Sequence, residues 1–155
     1  MKLREFVTIK TSRFDTTLRE DHINECCRGE DFAKWLHAKL IETGKYPLAE
    51  LYQEDFGWVI DSPFEGSTDV VMITIVHFPP DDDCAHELLC VGVDIRSSFM
   101  SNLFKKDRKQ KLLTIKDELI LQVDRIVHGE TDFEDISWWH DGPVCGTPAP
   151  HPNVA

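Results

Sequence analysis

The chain has 155 residues, of which 41% are hydrophobic and 29% are charged, a composition typical of one folded domain and not of a disordered or membrane protein. Its 28 acidic and 17 basic residues give a net charge of −11, which disfavours nonspecific binding to nucleic-acid phosphates. A domain of this length buries enough surface to fold without a metal or disulfides. These quantities exclude several classes of function and select none.

The sequence shows no apolar run long enough for a signal peptide near its start. Its most apolar stretch, residues 70–78, is too short to span a bilayer. The number of cysteines is odd and two of them are adjacent, which does not suit a disulfide framework. We therefore expect a cytoplasmic protein with reduced thiols at Cys26, Cys27, Cys84, Cys90 and Cys145.

The first elements are a strand and a helix. Alternating β-branched residues predict a strand over residues 4–11, and the polar residues 12–28 predict a loop. A helix is predicted to open at Gly29-Glu30-Asp31 and to end at the stop signal Gly44. Its buried face is marked by residues at three- and four-residue steps, namely Phe32, Trp35, Leu36, Leu40 and Ile41.

Three more strands follow, over residues 50–61, 70–78 and 86–95, with Gly57 as a bulge or a point of close approach. The turns between them are short, which favours hairpins and an antiparallel sheet. A second helix is predicted from near Lys109 to about His128, and a short strand over residues 133–139.

The order β-α-β-β-β-α-β predicts an α+β fold with a mainly antiparallel sheet of about five strands and two helices packed on one face. We expect one domain over residues 1–141 and an extended, proline-rich tail over residues 142–155. Such folds host many functions, so the fold alone decides nothing about activity.

One candidate site is a metal site between His77 and Cys90, because imidazole, carboxylate and thiolate groups are all metal ligands. Their spacing matches no known zinc motif, and the alternative is a solvated acidic hairpin turn with Cys90 in the core. The candidate ligands are His77, Asp81, Asp83, Cys84 and His86.

Two other features predict little chemistry. Cys26 and Cys27 precede a helix start, but the five acidic residues around them raise a thiol pKa and argue against a nucleophile. Residues 105–116 hold six basic residues and one acid, a basic island on an acidic body. We expect the island to be a solvated helix end and not a nucleic-acid site.

Acidic and aromatic residues occur together twice, in residues 54–58 and 138–141. On an alternating strand Phe56 and Trp58 share one face, which is more often simply core. If the strand ends that carry them are neighbours, they form one acidic patch rimmed by aromatic rings, which suits a basic ligand because Arg pairs with acids and stacks on rings. The alternative is that the first pair of acids caps a turn and the tail buries Trp139. The candidate partner-binding residues are Tyr52, Glu54, Asp55, Trp139, His140 and Asp141.

Residues 29–36 read GEDFAKWL and residues 54–58 read EDFGW. Together they resemble small bacterial proteins of uncharacterised function with a GEDxAxWL…EDxGW pattern. The resemblance covers residues 26–60 best and implies a bacterial, single-domain, cytoplasmic protein. It supplies no catalytic residues.

The sequence contains no assembled catalytic or nucleotide-binding motif. We therefore expect a non-enzymatic acidic binding protein that recognises a basic protein partner, for example a toxin-neutralising immunity protein or a regulatory protein. We expect no cofactor, no membrane partner and no nucleic-acid partner. The alternative is a small metal-dependent hydrolase that uses the His77–Cys90 region.

Overall fold

The computed structural model describes residues 2–97, 106–143 and 146–153. They form a six-stranded antiparallel sheet of order β2-β3-β4-β5-β1-β6 and two α-helices, which confirms the predicted α+β class. The strands are β1 (Phe6–Lys10), β2 (Tyr52–Glu54), β3 (Gly57–Pro63), β4 (Val70–Phe78), β5 (Leu88–Arg96) and β6 (Glu134–Trp139). The helices are α1 (Glu30–Glu42), which follows a 3-10 turn over Glu25–Gly29, and α2 (Lys106–His128).

Both helices pack on one face of the sheet. On β4, every second side chain from Val71 to His77 is buried beneath them, and the side chains between are half-buried. The alternation follows from the two-residue period of a strand with one face in the core. The core on this side includes Ile60, Val71, Ile73, Ile75, Val91 and Val93 from the sheet and Phe32, Leu36, Leu40, Leu119 and Val123 from the helices.

The predicted strand over residues 50–61 is wrong in one respect, because it is two strands joined by a tight turn at Asp55 and Phe56. Gly57, the first residue after the turn, has a φ of 146°, and a Cβ there would lie 2.3 Å from the Ile75 carbonyl oxygen. Only glycine fits this approach. Phe56 therefore does not share a buried face with Trp58 and is 40% exposed.

The opposite face of the sheet is not covered by any helix of the described residues. Its side chains are mostly half-buried, and the Phe6 ring lies against Gly92 of the neighbouring strand. A Cβ at Gly92 would lie 2.9 Å from the Phe6 ring and 2.7 Å from the Thr74 hydroxyl, so any larger residue there would force these side chains to move.

The two adjacent tryptophans of β6 point to opposite faces, as the strand period predicts. Trp138 is fully buried in the core and donates a hydrogen bond from its indole nitrogen to Asp124 at 2.9 Å. Trp139 is half-buried on the other face and donates to the Thr8 hydroxyl. The predicted tail packs against this edge in its described part, since Ala149 forms a β-bridge with Trp138.

An aromatic cluster holds the first loop against α1. The Phe14 ring meets the Phe32 ring with centroids 5.2 Å apart, and Trp35 and Phe133 complete the cluster with centroids 5.4 Å apart. Trp35, which the helical pattern places in the core, is half-buried at the edge of this cluster. The Arg13 guanidinium lies 4.9 Å from the centre of the Phe133 ring, a cation–π distance.

Trp138→Ala should lower the free energy of unfolding by about 3–5 kcal/mol, because it removes a fully buried indole and leaves a cavity. Chemical denaturation followed by circular dichroism measures the loss. Trp139→Ala is the matched control on the opposite face and should cost clearly less. Equal losses for both variants would contradict the assignment of the two faces.

Candidate functional site

The loops at one end of the sheet lie together and define a surface that we call the acidic end. It consists of residues 10–31, 54–56, 79–87 and 129–134. The antiparallel registers bring these segments to the same end, because Lys10 lies opposite Glu134 and Phe78 lies opposite Leu88. Side chains of the first loop join the others: the Thr16 hydroxyl, for example, donates to the Glu87 carboxylate at 3.0 Å.

The acidic end carries the whole net charge of the protein. Its segments contain 15 acidic and four basic residues, whereas the rest of the sequence contains 13 of each. The surplus of 11 negative charges therefore resides in about a quarter of the chain. Neighbouring loops with an excess of negative charge produce a local negative potential that attracts cations.

A buried carboxylate, Glu30, fixes the first loop to the start of α1. It is 6% exposed and accepts hydrogen bonds from Arg19 at 2.7 Å, Lys34 at 2.8 Å and His22 at 2.9 Å. The other ring nitrogen of His22 accepts the backbone N–H of Arg19 at 3.1 Å. Arg19 also pairs with Asp31 at 2.9 Å, so the loop is held by several charged contacts at once.

These contacts lower the pKa of Glu30 from its ordinary value of 4.5 to about 2. The hydrogen bond from Lys34 is the largest cause, and His22 and Arg19 add to it, while burial acts in the opposite direction. Glu30 is therefore ionised in the folded protein at all but strongly acidic pH.

Two more sets of contacts hold the first loop in place. Arg13 donates to Asp132 from its Nε at 2.8 Å and also pairs with Glu130. The buried His77 ring bonds to Glu87 through Nε2 at 2.8 Å, and Glu87 in turn accepts from Thr16. The acidic end is thus a set of loops fixed to the sheet, to α1 and to one another.

The structure does not assemble the predicted metal site. Two of its members have separate partners: His77 bonds to Glu87, and Asp81 accepts the backbone N–H groups of Asp83 and Cys84 at 2.9 and 2.8 Å. The Asp81 carboxylate therefore forms the turn of the β4–β5 hairpin. Within the described residues, His86 belongs to no cluster of three ligating side chains.

One group of possible metal ligands does occur in the described part of the chain, formed by Asp21, His22 and Glu30. Their ligand atoms lie within 4.8 Å of one another. However, the oxygens of Glu30 already accept bonds from Arg19 and Lys34, and both nitrogens of His22 are hydrogen-bonded. A cation would have to displace two basic side chains, so the group acts as an anchor and not as a metal site.

The predicted partner-binding patch is not formed as one surface. Tyr52, Glu54 and Asp55 lie at β2, whereas Trp139, His140 and Asp141 lie at the end of β6. These two strands are opposite edges of the sheet, five strand spacings or about 24 Å apart, and the two groups lie at opposite ends. That separation exceeds two Debye lengths, about 16 Å at physiological salt, so the groups are electrically independent.

Of the two adjacent cysteines, Cys27 is withdrawn from solvent. Cys27 is fully buried beside Trp58, whose indole N–H donates to the Cys27 carbonyl at 2.8 Å. Burial raises the pKa of the Cys27 thiol, so the cause is desolvation and not the surrounding acids. Burial also raises the pKa of Cys90 to about 12.

The acidic end also carries exposed hydrophobic side chains that the sequence analysis missed. Ile23 is 57% exposed, Phe56 40% and Leu18 42%, three of the five large exposed hydrophobic residues in the described ranges. The Asp-Phe-Gly sequence at residues 55–57 is a turn signal that could have placed Phe56 at the surface. Nothing in the sequence marks Ile23 as exposed.

A groove of about 660 Å³ lies between the end of α1 and the second half of α2. Its charged residues balance, with Lys39, Lys45 and Arg125 against Glu42, Glu118 and Glu130. It therefore favours neither cationic nor anionic ligands, in contrast to the acidic end.

Comparisons with models of protein families, with curated proteins and with solved structures found no match to the chain. The resemblance to small bacterial proteins therefore stays a prediction. In the part of the chain that the structure describes, neither helix has the length and apolar character needed to cross a membrane.

Glu30→Gln should destabilise the protein near neutral pH by an amount of the order of 3 kcal/mol, because the pKa of Glu30 is lowered on folding. The stability that the ionised Glu30 contributes is complete above about pH 5 and is lost as the pH falls from about 4.5 towards 2. Urea denaturation of both proteins across this range should therefore show the difference between them narrowing with acidity.

The control for this measurement is Glu42→Gln, which removes an exposed carboxylate 3.8 Å from Lys39 on the same helix. It should change stability by less than about 1 kcal/mol at every pH. A difference between wild type and Glu30→Gln that stays constant down to pH 2 would show that the Glu30 pKa is not lowered.

Proposed function

We propose that this protein is a non-enzymatic, cytoplasmic binding protein that recognises a basic protein partner through its acidic end. The observation that carries the proposal is the confinement of the entire net charge of −11 to that end. Charge complementarity of this kind raises association rates and discriminates between partners. Neutralisation of a basic toxin by an immunity protein is one function of this form.

Several carboxylates of the acidic end are available to a partner. Within the described ranges no ion pair joins Glu20, Asp21, Glu54 or Asp55 to a basic residue, and the β4–β5 hairpin adds the exposed Asp82 and Asp83. Carboxylates without an intramolecular partner can pair with Arg or Lys and lose no existing contact. The surface thus offers free acceptors as well as a negative potential.

The basic island gives little support to a nucleic-acid partner. Lys116 is buried and bonds to Glu5 at 2.6 Å, and Arg108 lies over the Phe64 ring while it contacts Asp69. These two side chains serve the fold and are not free to bind phosphates. The hydrolase alternative is not supported either, because the His77–Cys90 residues do not converge.

The proposal predicts that carboxylates of the acidic end bind cations more strongly than those elsewhere. The triple variant Asp55→Asn, Asp82→Asn, Asp83→Asn should weaken binding of a fluorescein-labelled octa-arginine peptide at least about threefold at low salt, because it removes three exposed acids. Fluorescence anisotropy titration measures the affinity, which should also fall steeply with added salt.

The matched control is Glu42→Gln, Glu65→Gln, Asp107→Asn, which changes the net charge equally but replaces exposed acids outside the acidic end. Its affinity for the peptide should stay within twofold of wild type. The same two triple variants are then used as baits to capture a partner from the cells that make the protein. The captured protein is purified, and its complex with each variant is reconstituted. Equal weakening by both variants would contradict the proposal.

A further inference from the structure

Ile23 and Phe56 are exposed on two segments of the acidic end that hydrogen bonds join, and we call them the hydrophobic pair. The backbone N–H of Ile23 donates to the side-chain oxygen of Gln53 at 3.0 Å. The side-chain amide of the next residue, Asn24, donates to the backbone carbonyl of Asp55 at 2.5 Å. These bonds tie the first loop to the β2–β3 turn. We propose that the hydrophobic pair is the centre of the partner interface and receives an apolar side chain flanked by Arg and Lys, an inference that rests on the proposed function.

The pair is exposed although its backbone is fixed. Gln53 also donates to the Asp21 carbonyl at 2.9 Å, and the preceding part of the loop is anchored through His22 and Glu30. These contacts fix the backbone that carries the two side chains. An exposed apolar pair on a fixed backbone needs little further ordering of the chain when it binds a partner, which is the property of an interface centre.

The charges around the pair determine what can cover it. Glu20 and Asp21 precede Ile23, Glu25 follows it, and Glu54 and Asp55 precede Phe56. A second copy of the chain would bring two such acidic ends together, and a nucleic acid or an anionic lipid surface would be repelled in the same way. The complementary occupant is an amphipathic, basic segment of another protein, with an apolar side chain over the pair and cations opposite the carboxylates.

Two peptides of equal charge and length test the inference. One places leucines at positions i, i+3, i+4 and i+7 among lysines and arginines, and the other replaces these leucines by serine. The amphipathic peptide should bind the wild-type protein at least about tenfold more tightly in anisotropy titrations at physiological salt. The double variant Ile23→Ser, Phe56→Ser should abolish that preference and leave the affinity for the serine peptide within twofold.

Ile41→Ser is the matched control, because Ile41 is 56% exposed on α1 outside the acidic end. It should leave the preference for the amphipathic peptide unchanged, and circular dichroism should show all variants folded. If both peptides bind equally to the wild-type protein, or if the double variant keeps the preference, the inference is overturned while the proposed function stands. If neither peptide binds even at low salt, the proposed function itself fails. Self-association that the double variant abolishes would assign the pair to a second copy and also overturn the inference.

Discussion

The functional surface depends on the contacts that the ionised, nearly buried carboxylate of Glu30 makes with its basic partners. A charge removed from water is tolerated only when it is fully paired, and Glu30 meets that condition through Arg19, His22 and Lys34. Two of these partners come from the first loop and the third from the helix, so the pairing converts a polar loop into a fixed part of the fold. The positive end of α1 favours the acid at this position as well.

The antiparallel topology explains why one end of the molecule is so acidic. Strands β1, β2 and β4 end there, and each continues into a loop or a hairpin turn. The start of α1 and the segment that precedes β6 lie at the same end. Acids that are scattered along the sequence, such as Asp21, Asp55 and Asp82, are thereby collected in one region. The opposite end and the helices retain balanced charge, in which ion pairs such as Lys116 with Glu5 support the packing.

Local sequence patterns predicted the strands and helices well, because the periodicity of each depends only on residues that are close in the sequence. The strand over residues 70–78 has the predicted bounds, and α1 begins within the predicted opening at residues 29–31. The helical pattern was wrong about Ile41, which is 56% exposed and not on the buried face. The order of the strands is not local, so the sequence could not show that Glu54 and Asp141 lie at opposite edges. Likewise Arg13 and Phe14 gained their partners Asp132 and Phe133 only through tertiary contacts with a distant segment.

The uneven placement of charge determines how this molecule rotates in the electric field of a neighbouring molecule. With 11 surplus negative charges at one end and a neutral remainder, the centre of charge is displaced from the centre of mass. A basic molecule that approaches from any side therefore exerts a torque that turns the acidic end towards it before contact. The search over orientations is shortened, so the encounter rate depends on ionic strength, whereas the lifetime of the complex is set by the short-range contacts that form afterwards.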